Sequence, residues 1–483
     1  MSALLPLWPA LPLMAAMAAV LWPRGGRGLA LAASGVMLGL TVAVGATLTR
    51  PGAMAVGGWE PPLGIALRLD GLAFAFLAFS AVVMAAVLSA APWRDQGREG
   101  ALFWPLALFL WAALNAIFLS ADLFNLYVGL ELLSLAAVAL VALSGEAKAI
   151  TAALRYLMQA LMGSLLFLLG VALIYSAHGV LDLGLLAMRE PAATDPLALG
   201  LMTAGLLIKT ALFPFHGWLP PAHSGAPAPA SAILSALVPK ASFYILMRLW
   251  FDGFGDLASP AAMVLPGLLG TAAIFYGGIL ALRQDRLKLV IAYSTVAQLG
   301  YLFLAFPLAG GDGAAQPWAA GAWTGAVFHA ASHAFAKAAM FLCAGLWLTA
   351  CGHDRIEGLR GIVKVMPVSV LAFAVAAVSL IGLPPSGGFT AKYLIVTSSF
   401  AAGQPLWALG PLAGGLLAAL YLYRPLVTAF AREAPSGLRP VSRGAQAVPL
   451  VLAFCAVVLG IGSALPFDLV QIGRPEAAVE GLE

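Results

Sequence analysis

The residues with the clearest chemical potential are lysines that lie inside long apolar segments. Four of the seven lysines, Lys209, Lys240, Lys337 and Lys392, fall where hydropathy predicts a membrane span. A lysine at bilayer depth costs roughly 2.5 to 3.5 kcal/mol on insertion scales, so it normally faces a protein interior or a water-filled cavity. A buried amine can also become neutral and then exchange protons. The pattern indicates an ion pathway; the alternative is a kinked helix and a proline-rich loop whose lysines snorkel outward.

Prolines interrupt the chain beside three of these lysines. Residues 209–240 contain six prolines, with Pro239 next to Lys240, and a second interruption, LPPSGG, precedes Lys392. Proline removes a backbone hydrogen bond from a helix, and membranes tolerate broken helices only where protein or water satisfies the freed groups. Paired broken helices mark the substrate and ion sites of transporters built from inverted repeats. We therefore predict two broken spans that line the pathway.

A second set of titratable residues follows a single helical face. His329, His333 and Lys337 stand at i, i+4 and i+8 in FHAASHAFAKAAMF, so one face of a helix carries all three. Imidazoles titrate near neutral pH and can relay protons. A metal site is disfavoured because no third ligand is near and the lysine would repel a cation. The alternative is a pair of histidines that only hydrogen-bond between helices.

Glu131 is the one acidic residue well inside a predicted span, in NLYVGLELLSL. One buried acid against four buried lysines indicates one ion pair and several unpaired lysines. At about 4 Å and an effective dielectric constant near 20, such a pair is worth roughly 4 kcal/mol. Opening or closing it would therefore change the proton affinity of a neighbouring lysine by a useful amount.

The composition places the chain in a bilayer. Of 483 residues, 62% are hydrophobic and 10% are charged, and the mean hydropathy is +0.97. So few charges cannot cover a soluble globule of this size, and we expect an all-α polytopic membrane protein. Hydropathy predicts about fourteen transmembrane helices, the twelfth interrupted: 3–22, 28–49, 70–91, 101–119, 122–143, 152–175, 198–219, 229–250, 261–282, 289–307, 321–349, 366–399, 406–430 and 447–466.

The two predicted breaks lie five spans apart, which indicates an internal repeat. Five is an odd number, so two five-helix units would have opposite orientations in the membrane, as in inverted-repeat transporters. The predicted organisation is N-terminal helices 1 to 3 in residues 1–100, a first five-helix repeat in 101–250, a second in 261–432, and a C-terminal helix in 447–466.

Basic residues divide unequally between the loops of the two faces. Fifteen Lys and Arg residues, Lys288 among them, lie on one face, and the other face has only Arg50, Arg68, Arg189, Arg248 and Arg474. The positive-inside rule assigns the richer face to the cytoplasm, with both termini outside the cell inner (cytoplasmic) membrane. The net charge of +4 is spread over short loops rather than gathered in one patch, so we expect no nucleic-acid partner.

The sequence contains no motif for a cofactor or for covalent catalysis. Its three cysteines show neither CxxC nor metal-ligand spacing. Nothing resembles a phosphate-binding glycine loop or a nucleophile with its base. We therefore expect no cofactor and no bound metal, with energy supplied by an ion gradient or by a partner protein.

Taken together, the motifs resemble the proton-conducting antiporter-like family shared by multisubunit Mrp-type cation/proton antiporters and the membrane arm of respiratory complex I. The resemblance covers roughly residues 70–430 and is carried by NLYVGLELLSL, IKTALFPFHGWLP, APAPASAILSALVPK, FHAASHAFAKAAMF and GLPPSGGFTAKYLI. Within the family, a chain of this length with lysine rather than glutamate at 392 is most similar to the D subunit of an Mrp antiporter.

The resemblance implies a role for each candidate residue. Glu131 and Lys209 would form an ion pair, Lys240 would be the central proton carrier, the region of His329 and His333 would relay, and Lys392 would be the distal exit. It also implies other membrane subunits as partners, and protons with Na⁺ or K⁺ as the transported ions. The alternative is a proton-pumping membrane subunit of a complex I-like NADH dehydrogenase or a membrane-bound hydrogenase, so the sequence leaves open whether the chain serves an enzyme.

Cysteine labelling tests the assignment of the two faces. Single cysteines placed in residues 24–27 or 352–364, in a background without the native cysteines, should resist an impermeant maleimide in intact cells and react after the membrane is opened. A cysteine at Arg50, in a predicted outer loop, serves as the positive control. Ready labelling of the first two loops in intact cells would reverse the orientation.

Overall fold

The protein is a bundle of helices with one small hairpin on its surface. The computed structural model describes residues 2–93, 97–257, 259–310, 316–432, 439 and 441–475. Strands β1 (Gly52–Ala55) and β2 (Ala66–Leu69) pair antiparallel between the second and third helices. The helices are α1 Leu7–Leu21, α2 Gly26–Gly45, α3 Gly71–Ala90, α4 Arg98–Leu119, α5 Leu123–Val141, α6 Ala147–His178, α7 Leu183–Leu186, α8 Asp195–Thr210, α9 Leu219–Gly225, α10 Ala228–Met247, α11 Pro260–Leu282, α12 Leu287–Leu302, α13 Ala305–Ala309, α14 Pro317–Cys351, α15 Pro367–Ile381, α16 Gly387–Ala401, α17 Leu409–Ala429, α18 Arg443–Ile461 and α19 Ala464–Gln471.

The predicted all-α polytopic architecture is confirmed. In the part of the chain that the structure describes, twelve helices are long and apolar enough to cross a membrane, or thirteen if the bent pair Ile356–Lys364 and Pro367–Ile381 counts as one span. The two remaining predicted spans, 198–219 and 366–399, are divided into α8 with α9 and α15 with α16. The division of 101–250 and 261–432 into inverted repeats stays a prediction.

The first break separates α8 from α9. Helix α8 ends at Thr210, because Ala211 takes a left-handed conformation with φ of 58°. The chain then makes a short 3₁₀ turn at His216–Trp218 before α9 begins. Trp218 donates its indole N–H to the carbonyl of Ile208 at 2.9 Å, which adds a second hydrogen bond to a carbonyl that already accepts the backbone N–H of Ala211 at 3.1 Å.

The second break separates α15 from α16. Gly382 ends α15 in the left-handed region with φ of 89°, and a Cβ at this position would lie 2.7 Å from the Lys392 side chain. Glycine is therefore required both for the turn and for the close approach of the lysine. Ser386 starts α16 by accepting a hydrogen bond from the backbone N–H of Phe389 at 3.2 Å.

A buried ionic cluster joins the start of α3 to the C-terminal end of α10. A π-helical turn, Arg248–Gly253, extends α10 beyond the predicted span. Arg248 donates to both Asp70 oxygens at 2.6 and 2.7 Å, to Asp252 at 2.7 Å and to the Tyr244 hydroxyl at 2.9 Å. The sequence-based placement of Arg248 in a loop was wrong, since only 3% of the residue is exposed. Four hydrogen bonds and two carboxylates make its burial tolerable.

The Asp70 side chain provides a test of this cluster. Burial alone raises the pKa of the carboxyl, but Arg248 and then Arg68 outweigh burial and hold the pKa below its usual 3.8. The stabilisation from this group is therefore complete above pH 3.8 and is lost as the pH falls through the lower pKa of the folded protein.

Asp70→Asn should lower the free energy of unfolding by about 3 to 5 kcal/mol, because it leaves a buried guanidinium short of one counter-charge. The melting temperature of the purified protein in detergent, measured at neutral pH, checks the loss. Glu60→Gln is the control, since Glu60 is an exposed acid of the loop between the two strands. Equal melting temperatures for both variants would contradict a structural role of the cluster.

Candidate proton pathway

Glu131 and Lys209 face each other across α5 and α8. The Lys209 ammonium lies 3.6 Å from Glu131 Oε1 and donates to the Ser134 hydroxyl at 2.7 Å and the Leu130 carbonyl at 3.4 Å. Only 5% of the lysine side chain is exposed, against 21% for the glutamate. Glu131 Oε1 has no hydrogen-bond partner in the described residues, so the pair is held by charge at 3.6 Å rather than by a short hydrogen bond. Such a pair can open without breaking a hydrogen bond of the carboxylate.

Lys240 occupies the centre of α10, fully buried. Pro239 has no N–H to donate to the Ser235 carbonyl four residues earlier, so the helix leaves that oxygen free. The Lys240 ammonium donates to this oxygen at 2.6 Å. The sequence pair Pro239–Lys240 is therefore one structural unit: the proline frees the acceptor and the lysine occupies it.

Lys337 on α14 binds α12. Its ammonium donates to the carbonyl of Ile291 at 3.0 Å and to the hydroxyl of Ser294. Thr295 donates to the same carbonyl at 3.0 Å and is bonded to the Ser235 hydroxyl at 2.8 Å. Since Lys240 binds the carbonyl of that serine, hydrogen bonds through three residues connect the two lysines.

His329 and His333 lie in a stack on the same face of α14. Their rings are nearly parallel, at 6°, with centroids 5.9 Å apart. His329 Nε2 lies 3.0 Å from the Gln298 carbonyl, which can only accept, so this nitrogen carries the proton. Both ring nitrogens of His333 are buried and have no hydrogen-bond partner among the described residues. A histidine that bridges two helices would hydrogen-bond through its ring nitrogens. His333 makes no such bond in the described residues, so its geometry favours a proton relay over a helix-to-helix bridge.

Lys392 reaches back from α16 to the end of α15. Its ammonium donates to the carbonyls of Leu380 and Ile381, both at 2.9 Å. These are among the last carbonyls of α15, which have no partner within the helix, and the negative end of the helix dipole favours a cation there. The ammonium also lies 4.5 Å from the centroid of the Tyr301 ring.

The structure thus brings most of the predicted site residues into one buried row. Lys240, Lys337, the histidine pair and Lys392 follow one another on α10, α14 and α16, with α12 between them. The Glu131–Lys209 pair stands apart: within the described residues, no hydrogen bond or ion pair joins it to Lys240. The same part of the chain has no group of three His, Cys, Asp or Glu side chains that could hold a metal ion.

Lys288 and His223 are buried titratable residues that the sequence analysis did not assign to the site. Lys288, which was placed in an inner loop, is only 5% exposed and donates to the Ala226 carbonyl at the end of α9 at 2.6 Å. That placement was wrong because α12 already begins at Leu287. His223 on α9 is buried with both ring nitrogens unpartnered in the described structure, and its ring lies against Phe341. Its position between the prolines of the first break was the available signal.

Comparison with known proteins gives concordant matches. Residues 120–417 match the family described as NADH:quinone oxidoreductase/Mrp antiporter, TM. The N subunit of the NADH-quinone oxidoreductase of Desulforudis audaxviator is 39% identical, over 94% of this chain and 93% of that protein. The D subunit of the Na⁺/H⁺ antiporter of Alkalihalophilus pseudofirmus is 30% identical, over 78% and 75%. A chain of the Mrp complex from Dietzia sp. superposes with a TM-score of 0.88 at 24% identity, over 97% and 96% of the two chains.

A double-mutant cycle on thermal stability tests the ion pair. Glu131→Ala leaves the buried Lys209 without its counter-charge, so it should destabilise the protein more than it does when Lys209→Ala is also present. We expect a coupling of about 0.5 to 3 kcal/mol, the usual range for residues in contact. The control cycle pairs Glu131→Ala with Lys288→Ala, because Lys288 is a buried lysine that binds Ala226 instead. Additivity in both cycles would show that Glu131 and Lys209 do not interact.

Proposed function

Because the chain belongs to the NADH:quinone oxidoreductase/Mrp antiporter membrane family, we propose that it is the proton-translocating subunit of a multisubunit membrane complex that exchanges Na⁺ or K⁺ for protons. One observation carries the proposal: Lys240, Lys337 and Lys392 are buried in one row with the histidine pair, and in the described residues their ammonium groups hydrogen-bond to neutral oxygens. The Arg248 guanidinium, whose role is structural, is held by a counter-charge on each side. Without one, nothing in these contacts fixes the proton on the amine.

The roles follow the order of the residues in the bundle. The Glu131–Lys209 pair sets the electric field at Lys240, where the row begins, and Lys240 is the central proton carrier. The proton then passes by Lys337 and the histidine pair to Lys392. The histidines lie between the lysines and not in a separate site, which supports a relay over a metal centre. Other membrane subunits carry the exchanged cation, since Na⁺ needs several oxygen ligands.

A second candidate is favoured by the relative with 39% identity. That relative belongs by name to a redox enzyme, an NADH-quinone oxidoreductase, and the match extends over 94% of this chain. In that setting the same row would carry protons driven by electron transfer in partner subunits. Purification from native membranes under mild detergent separates the two: iron–sulfur proteins in the complex favour the redox enzyme, and exclusively membrane-embedded partners favour the antiporter.

Replacing Lys240 with arginine tests the centre of the pathway. Arginine keeps the charge and most of the reach but does not deprotonate in proteins, so a proton carrier fails as Lys240→Arg. We expect exchange to fall at least about a hundredfold, the lower limit for loss of a positioned proton-transfer group. The measurement is proton-coupled cation exchange in membrane vesicles, or redox-driven proton uptake if the partners are redox proteins.

The control for this prediction is Lys288→Arg, since Lys288 is a buried lysine outside the row. Complex assembly is checked for both variants by co-purification of the neighbouring subunits. Near-normal exchange by an assembled Lys240→Arg complex would remove Lys240 from the pathway and overturn the proposed function.

A further inference from the structure

A recess in the apolar surface of the bundle reaches Lys392. It has a volume of about 460 Å³ and lies between α16 and α17, beside the break that follows α15. Exposed side chains form its rim, among them Tyr393, Leu412 and Leu416. Among the described residues, Lys392 is the only charged side chain that lines it. Apolar pockets of about 300 to 1,000 Å³ with a few polar groups are typical of sites that bind small organic molecules.

Two glycines leave the Lys392 ammonium uncovered on the side of the recess. A Cβ on Gly415 of α17 would lie 3.8 Å from Lys392 Nζ, and a Cβ on Gly382 would lie 3.4 Å from the same nitrogen. Both glycines line the recess. A side chain at either position would therefore add atoms in contact with the ammonium. The opening toward Lys392 is formed by two positions without side chains, one at the end of α15 and one on α17.

The Lys392 ammonium retains a hydrogen-bond donor for a further partner. A lysine ammonium has three N–H groups. Within the described residues, Lys392 gives two of them to the carbonyls of Leu380 and Ile381, both at 2.9 Å. The Tyr301 ring covers the nitrogen from another side, at 4.5 Å from the ring centroid. No carboxylate of the described chain lines the recess, so the site presents a positive charge and a donor without an anion.

The depth of the recess restricts the chemistry of its ligand. The break lies near the middle of the predicted span 366–399, between two half-helices of 15 residues each. A phospholipid keeps its phosphate in the headgroup region at the membrane surface, and a permanently charged anion would lose its hydration on the way to this depth. A carboxylic acid can enter in its neutral form and ionise only when it meets the amine. The apolar rim matches an alkyl chain, so the geometry favours a single-chain fatty acid.

We propose that this recess binds a fatty acid whose carboxyl group pairs with Lys392 and whose alkyl chain lies between α16 and α17. The acid arrives protonated and transfers its proton to the neutral amine, so one O–H bond breaks, one N–H bond forms and a carboxylate–ammonium pair remains. This step rests on the proposed function, in which Lys392 is neutral for part of the cycle. The bound carboxylate holds the proton on Lys392 and thereby closes the end of the row. The recess is thus a regulatory site for the exit of protons.

Photolabelling of the assembled complex in liposomes tests the site. The probe is dodecanoic acid with a diazirine in its chain, and mass spectrometry identifies the labelled peptides. We expect label on the rim residues of α16 and α17. Unlabelled dodecanoic acid should suppress this label at a concentration at least about tenfold lower than dodecanol requires, because only the acid can pair with the ammonium. Labelling reports binding and not ion exchange, so the proton leak that fatty acids cause in liposomes does not affect it.

Two variants separate the charge of the site from its shape. Lys392→Gln removes the amine, so dodecanoic acid should lose its advantage over dodecanol. Ala419→Phe fills the recess, which Ala419 lines, and should abolish labelling of the rim without changing Lys392. Leu420→Phe is the matched control, because Leu420 is the next residue on α17, is exposed and does not line the recess. Melting temperatures and co-purification of the neighbouring subunits show that each variant is folded and assembled.

Three results would overturn the site. Equal suppression by the acid and the alcohol would indicate ordinary contact with lipid. Label in the isolated subunit but not in the complex would show that a partner helix covers the recess, and unchanged acid-specific label in Ala419→Phe would place the ligand elsewhere. The proposed function fails separately: acid-specific label together with normal exchange in Lys240→Arg would retain the binding site and remove the function. Absence of acid-specific label with an inactive Lys240→Arg would remove only the site.

Discussion

The structure depends on one constraint, the cost of holding an amine inside an apolar bundle. Three buried lysines meet it in the same way: each donates to a backbone carbonyl that a helix has released. Lys240 takes the oxygen freed by Pro239, Lys392 takes the last carbonyls of α15, and Lys288 takes the carbonyl that follows α9. Proline and helix ends therefore do more than bend the chain. They supply neutral acceptors where a membrane offers none.

Neutral acceptors have a functional consequence that carboxylates would not have. A carboxylate beside a buried lysine stabilises the ammonium and holds the proton on the amine; the two carboxylates around Arg248 likewise stabilise its buried guanidinium. A carbonyl oxygen solvates the ammonium without binding it as an ion pair, so the proton can leave. The bundle uses both arrangements. Arginine with counter-charges joins the helices at the C-terminal end of α10, and lysines bound to carbonyls lie in the interior of the bundle.

Most of the fold was predictable because its signals are local: apolar runs identify the spans, prolines with glycines identify both breaks, and helical periodicity gives His329 and Lys337 a shared face. The contacts that shape the pathway were not predictable, because they join helices distant in the sequence. The acceptors of Lys337 and the Tyr301 ring all lie on α12. Lys288 was placed in a loop because hydropathy averaged over a window does not distinguish a lysine in the first turn of a helix from a lysine in the preceding loop. Only the packing of α12 against α9 shows that its ammonium turns inward.

The isolation of the Glu131–Lys209 pair determines how it can influence the row. No hydrogen bond in the described residues leads from the pair to Lys240, so the influence must act through the electric field. In general, a unit charge acting over about 10 Å at an effective dielectric constant near 20 contributes roughly 1.7 kcal/mol, more than a tenfold change in proton affinity. With the pair closed, Glu131 cancels most of the charge of Lys209. In the proposed function, opening of the pair would leave an uncompensated ammonium that repels a proton on Lys240 and favours its transfer toward Lys337. A weak ion pair at 3.6 Å suits this role, because its opening costs less than that of a short hydrogen-bonded pair.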